Sequence, residues 1–157
     1  MSQPTAKRSP ADTNMNVATI LELKGSAVVT TTADKSLLDI AKLLMLHGIG
    51  CIVILGDDDN VAGIVSERDL VRAIGQSGAK VLKEPVFDYM TKRVVTAREA
   101  DTIDRLMSEM TAHRFRHMPV VKGGRLIGLV SIGDVVKMRV AEVEFETAAM
   151  RQYITTS

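Results

Sequence analysis

What most restricts the fold of this chain is that it is written twice. Val28-Val29-Thr30 recurs as Val94-Val95-Thr96, and His47 recurs as His113, an offset of 66 (113 − 47). Further on, Gly63-Ile64-Val65-Ser66-Glu67-Arg68-Asp69 recurs as Gly128-Leu129-Val130-Ser131-Ile132-Gly133-Asp134, at an offset of 65 (128 − 63). The lost residue falls where Asp57-Asp58-Asp59-Asn60 faces Lys122-Gly123-Gly124. Both are polar turn sequences, in which a deletion costs little. The repeat predicts two copies of one α/β motif packed as a single module.

Each copy reads in the same order. A short strand at 28–31 or 94–97 comes first, then a helix at about 36–47 or 102–113. In the second copy Ile103, Leu106, Met107 and Met110 keep helical spacing. A β-branched run follows, Ile52-Val53-Ile54-Leu55 or Pro119-Val120-Val121, and a tight turn leads to a second apolar strand at 61–65 or 126–130. Strands joined by so short a turn must be antiparallel neighbours. The last helix starts at Ser66 or Ser131, and the second one continues to about residue 152. The first-copy helix is apolar nearly all round: Leu37, Leu38, Ile40, Ala41, Leu43, Leu44, Met45 and Leu46 leave a polar stripe only at Asp39 and Lys42. Either it is buried deeply within one chain or it meets a second subunit. An exposed stripe that apolar is unusual on a monomer, so a homodimer is expected, broken by a charge at Leu43 or Leu44.

Composition narrows the function. The 157 residues carry 20 basic and 19 acidic side chains, a net charge of +1, which offers no global field for nucleic acid or a membrane surface. Aromatics are 3% against 46% hydrophobic residues, so the core must be aliphatic, and stacking platforms for nucleic acid are few. No apolar run approaches the ~18 residues of a membrane span, and no signal-peptide segment is seen. The single cysteine, Cys51, forms no internal disulfide, which fits a reducing cytoplasm. Residues 1–15, polar and holding Pro4 and Pro10, read as a flexible tail. No Gly-x-Ser-x-Gly, Walker loop, His-rich metal spacing or Cys–His–Asp set is present, so no enzyme is expected.

The order β-α-β-β-α, twice, each copy closing on Gly-h-h-Ser-x-x-Asp, resembles the cystathionine-β-synthase-type (CBS) domain pair. The lead-ins are similar too: Ile20-Leu21-Glu22-Leu23-Lys24-Gly25 before the first copy and Val86-Phe87-Asp88-Tyr89-Met90-Thr91 before the second. Ser66-Glu67-Arg68-Asp69-Leu70 resembles stand-alone bacterial members. The resemblance covers roughly residues 17–141 and implies an α/β (α+β) pair with pseudo-twofold symmetry. It divides the chain into a tail (1–15), repeat 1 (16–79), a linker into repeat 2 (80–93), repeat 2 (94–141) and a C-terminal helix extension with tail (142–157). It also implies two clefts between the repeats for adenosine-containing ligands such as AMP, ADP, ATP, S-adenosylmethionine or NAD(H), a regulatory rather than catalytic role, an unidentified regulated protein, and in many members a flat homodimer. The fold alone does not choose the ligand.

Two readings compete at each candidate residue. Ser-x-x-Asp at a helix start is an ordinary capping box. The same geometry offers free N–H groups to a phosphate and a carboxylate to a ribose diol. The resemblance implies ribose contacts for Asp69 and Asp134 and phosphate-side positions for Ser66 and Ser131. It places Gly50 and Cys51 in one copy, and Arg116, His117, Met118 and Pro119 in the other, along the cleft edge. Thr30 and Thr96 stand near the base or ribose, although both also suit a strand. Cys51 reads equally as a small core residue, and His47 and His113 as dipole partners at helix ends. The clefts should differ. The second copy offers Arg114, Arg116 and His117 where the first has Gly48, Gly50 and Cys51, and the first offers Arg68 where the second has Gly133. Which repeat supplies the wall and which the acid of a given cleft stays open. The alternative function is a structural homodimer with empty clefts.

Overall fold

The computed structural model describes residues 15–155. The predicted tail therefore lies outside the described residues except for Met15, which packs against the core of the second half.

Each half forms around its hairpin. In the first, β1 (Thr30–Thr31) lies parallel to β2 (Cys51–Leu55), and β3 (Val61–Ser66) runs antiparallel to β2. In the second, β4 (His117–Lys122) and β5 (Arg125–Ser131) are antiparallel. There the expected first strand is only a parallel bridge, Ala97 to Val120, which matches Thr31 to Ile54 in the first half. Both hairpins shift register at the same place, after Ile54 and after Val120. The helices begin where their caps stand. Ser36 and Asp39 form a capping box on α2 (Leu37–His47), and Ser66 and Asp69 one on α3 (Glu67–Ser77). Thr102 caps α4 (Ile103–His113), and α5 runs Ile132–Thr155, slightly beyond the sequence expectation. The lead-in to the first copy is itself a helix, α1 (Val17–Lys24), capped by Asn16.

The two lead-ins are exchanged. Helix α1 precedes the first copy in sequence, yet Val17 and Ile20 are buried in the second half's core, with Ile103, Leu106 and Val130. The lead-in to the second copy buries Val81, Val86 and Met90 in the first half's core, with Leu37, Ile40 and Ile54. The backbone repeats the exchange with matching geometry. Val86 N–H donates to Lys35 O (2.7 Å) and Phe87 N–H to Ala33 O (3.2 Å); Val17 N–H donates to Asp101 O (3.0 Å) and Ala18 N–H to Glu99 O (2.9 Å). At roughly 1.5–3 kcal/mol for each apolar side chain fully buried, the five exchanged side chains are comparable with the whole net stability of a domain, about 5–15 kcal/mol. Each copy's core is thus completed by the other copy's lead-in.

The core is aliphatic, as expected, and among the described residues it encloses no polar or charged side chain. The apolar character of α2 is divided. Leu37, Ile40 and Leu44 enter the first core, while Leu38, Met45 and Leu46 remain exposed. Leu44 is therefore a core residue, and a charge there would break the monomer rather than separate subunits. Among the described residues no helix is long and apolar enough to cross a membrane.

The exchange requires two glycines. A Cβ on Gly63 would stand 2.6 Å from Met90 Sδ and 2.9 Å from the Thr91 carbonyl oxygen; one on Gly128 would stand 2.6 Å from the Leu21 side chain. Gly63→Ala is expected to lower stability by about 1–3 kcal/mol. Gly128→Ala should cost less, because the end of a leucine yields more easily than a carbonyl. Urea midpoints of the two variants check the order.

Candidate functional site

A cleft of about 550 Å³ opens between the halves, and the exchange builds it. Ile64 on β3 and Thr91 in the second lead-in bond reciprocally, N–H to carbonyl, at 3.0 and 2.9 Å. This pairing sets residues 91–95 beside the first half's hairpin. One wall is then Gly50 and Cys51 from β2 with Ser66 and Asp69 at the start of α3. The opposite wall is Arg93, Val94 and Val95 with the segment 113–117, where α4 ends and β4 begins. The wall and the acid thus come from different repeats.

The cleft gathers Arg68, Arg72, Arg93, Arg114 and Arg116 against only two carboxylates, Glu67 and Asp69. Among the described residues none of these five arginines makes an ion pair or a side-chain hydrogen bond; the ion pairs form elsewhere. A chain of net charge +1 has therefore concentrated positive charge at one place. Clefts of one sign attract the opposite charge, and guanidinium forks suit phosphate or carboxylate oxygens.

Both readings of Ser-x-x-Asp hold at Asp69, on different atoms. Its Oδ2 accepts from Ser66 N (2.8 Å) and Ser66 Oγ (3.1 Å), completing the cap. Its Oδ1 makes no hydrogen bond among the described residues and remains available to a ligand. Asp134, the equivalent residue, stands outside this cleft, as does Ser131. Its Oδ2 accepts from Ser131 N (2.9 Å) and from Lys24 Nζ (2.6 Å), and Lys24 also donates to the Leu129 carbonyl at 2.8 Å. Burial alone would raise the Asp134 carboxyl, but Lys24 and the Ser131 N–H hold it below the ordinary aspartate value. Lys24, at the end of α1, thus pairs with Asp134 on the oxygen that also completes the cap, an ion pair that Asp69 lacks.

The remaining predicted residues divide by strand geometry. Gly50, Cys51, Ser66, Arg68, Asp69, Arg116 and His117 line the cleft. Met118 does not: alternation along β4 turns it to the opposite face, fully buried in the second core. Pro119 is buried as well, its carbonyl accepting from Ala97 N at 2.8 Å. Thr30 and Thr96 lie outside the lining, with Thr30 paired to Val53. Sequence reasoning missed Arg72 and Arg93 among the arginines, and Ile64, Glu67, Thr91, Val94 and Val95 as well. Arg72 stands one helical turn after Arg68, a signal readable from helical spacing; Arg93 reaches the cleft only through the exchange.

Two titratable groups are shifted by their burial. Burial holds the His117 imidazole below its usual range, with Lys24 adding to the effect, which favours its neutral form. Burial, reinforced by the charge of Asp69, pushes the Cys51 thiol up to about 12, which keeps it protonated and a poor nucleophile at neutral pH. His113, at the rim, stacks on Phe115 with ring centroids 5.8 Å apart.

Comparison with known proteins places this geometry. The CBS domain family matches residues 20–76 and 86–141. A mitochondrial CBS domain-containing protein of Arabidopsis thaliana, CBSX3, is 31% identical over 98% of this chain and 78% of its own length. The crystal structure of the CBS-domain containing protein ATU1752 from Agrobacterium tumefaciens is 47% identical, covering 79% of this chain and 98% of that one, with a TM-score of 0.75. The CBS domain pair of protein MJ0100, solved in complex with 5′-methylthioadenosine and S-adenosyl-L-methionine, is 26% identical over 79% of this chain and 98% of its own, with a TM-score of 0.70.

The shifts fix two pH windows. Folding disfavours the protonated form of His117, while the unfolded chain takes up the proton below about 6.5, so its contribution is complete above that pH and is lost as pH falls. Asp134 contributes above its ordinary value of 3.8 and loses that contribution only in stronger acid. The melting temperature should therefore decline below about pH 6.5, and in His117→Gln that mildly acidic decline should be smaller. Thermal melts across pH check this; identical profiles would contradict it.

Proposed function

The chain belongs to the CBS domain family in two copies, and from that premise we propose that it is a regulatory module whose arginine-lined cleft binds an adenine nucleotide without transforming it. The observation that carries this reading is the cleft that brings five unpaired arginines to the start of α3, where Asp69 Oδ1 is unbonded. The complex of MJ0100 with two adenosine compounds supports an adenosine ligand. Those two compounds carry no phosphate. The arginines favour a phosphorylated ligand here: AMP, ADP, ATP or NAD(H), with the polyphosphates matching the charge best.

In this reading Asp69 Oδ1 accepts from the ribose diol. The N-terminus of α3, with Ser66, and the arginines hold the phosphates. Ile64, Val94 and Val95 give the base an apolar wall. His117 contributes a neutral hydrogen bond. The protonated Cys51 lends size rather than chemistry. The Lys24–Asp134 ion pair offsets the charge of the equivalent acid in the other half, and in this reading one cleft carries the ligand. The module works as a homodimer, supported by the apolar residues that folding leaves outside, among them Leu38 and Met45, and a regulated protein reads its occupancy.

Calorimetry with ATP and with adenosine tests the assignment. Arg116→Ala should weaken ATP by about tenfold, the lower end for a charge-assisted bond because Arg116 is solvent-exposed, and leave adenosine unchanged. Asp69→Ala should weaken both. Equal losses of both ligands in Arg116→Ala would remove the phosphate role. No binding of either ligand to ligand-free protein would leave a structural homodimer.

A further inference from the structure

Helix α5 continues well past the residues that the fold uses. Val135 and Met138 enter the second core, and beyond residue 141, where the family match ends, its side chains are almost all exposed. On the side turned away from that core, Val136, Val140, Val143, Thr147 and Met150 follow one another at alternating intervals of four and three, and Ile154 falls on the next step. Val136, Val140, Val143 and Met150 are 49%, 51%, 53% and 67% exposed. Such a 4-3 spacing forms one apolar stripe along a helix, the pattern that packs against a partner helix of the same spacing.

We propose that this stripe is one half of a parallel two-stranded coiled coil formed with α5 of a second copy of the chain. The proposal rests on the homodimer reading above and names the surface that makes the dimer. Three observations identify the occupant. Val140, Thr147 and Ile154 hold the a positions and Val136, Val143 and Met150 the d positions, an a/d seam that a helix of the same spacing complements. Thr147, polar at a central a position, donates its hydroxyl to the Val143 carbonyl at 2.9 Å, so it enters a dry seam already satisfied. The flanking charges match only one direction in full register. Parallel helices set Glu146 against the second copy's Arg151, twice by symmetry, and Arg139, which also holds Asp104 and Glu142, near the second copy's Glu144. Antiparallel helices in full register would set Glu146 against Glu146, and Lys137 against Arg151.

Three variants of the full-length chain test this, with mass measured by light scattering and cross-linking by non-reducing electrophoresis. Wild type should run at about 34 kDa, twice 17.1 kDa. The pair Val143→Glu with Met150→Glu, at positions already exposed in one chain, should keep its circular dichroism and fall to half that mass. Thr147→Cys in a Cys51→Ala background should oxidise to a covalent dimer, because parallel a positions face each other. A monomeric wild type would overturn both this seam and the homodimer reading, leaving the stripe for another protein's helix. A dimer that survives the double substitution, or in which Thr147→Cys does not cross-link, would keep the homodimer and overturn the seam. Cross-linking only in a mixture of Thr147→Cys and Val143→Cys chains would mean antiparallel pairing and equally overturn it.

Discussion

The molecule depends on a pair of backbone contacts: Val86 N–H to the Lys35 carbonyl in one half, and Val17 N–H to the Asp101 carbonyl in the other. Each hands the lead-in of one copy to the core of its neighbour. The glycines at 63 and 128 follow from them, since any side chain there would collide with the visiting segment. So does the cleft, because the Ile64–Thr91 pairing sets residues 91–95 of one repeat opposite the Ser-x-x-Asp of the other. A ligand in that cleft touches both repeats at once. Its binding energy therefore acts on the packing of the halves, which is the physical requirement for a module that reports occupancy.

The backbone is close to twofold, and the side chains break that symmetry where it matters. α2 ends at Gly48 with φ +60, a conformation glycine adopts freely; α4 ends at Arg114 with φ +57, where a side chain costs about 1 kcal/mol or more. The strained residue is one of the cleft arginines. Lys24 and Asp134 break the symmetry the other way, since Asp134 carries an ion pair among the described residues and Asp69 does not. Two copies of one motif thus give one acid beside a cluster of arginines and one acid paired with a lysine.

Much of the fold was legible because it rests on local chemistry. Ser36, Ser66 and Thr102 cap the helices that their positions predict, and the turns at 57–60 and 122–124 close antiparallel hairpins as expected. The exchange was not legible. Its hydrogen bonds are main chain to main chain and leave no mark on residue type, so α1 read as part of the first copy although it packs on the second. The same blindness hid Arg93, whose place in the cleft is a consequence of the exchange. Met118 and Leu44 were misplaced by one step of the strand and one face of the helix, since a run of apolar residues does not say which of them point inward. Ser66, Asp69 and Arg116 were legible because a helix start and a basic strand start carry their chemistry in the sequence itself.

The central claim is that the arginines and Asp69 make one nucleotide site per chain, built jointly by the two repeats. Native mass spectrometry of ligand-free protein titrated with ATP measures that number directly. The account predicts one nucleotide per chain at saturation, with a second bound only when Lys24→Ala opens the position at Asp134. Two nucleotides per wild-type chain with equal affinity, or none at all, would contradict it.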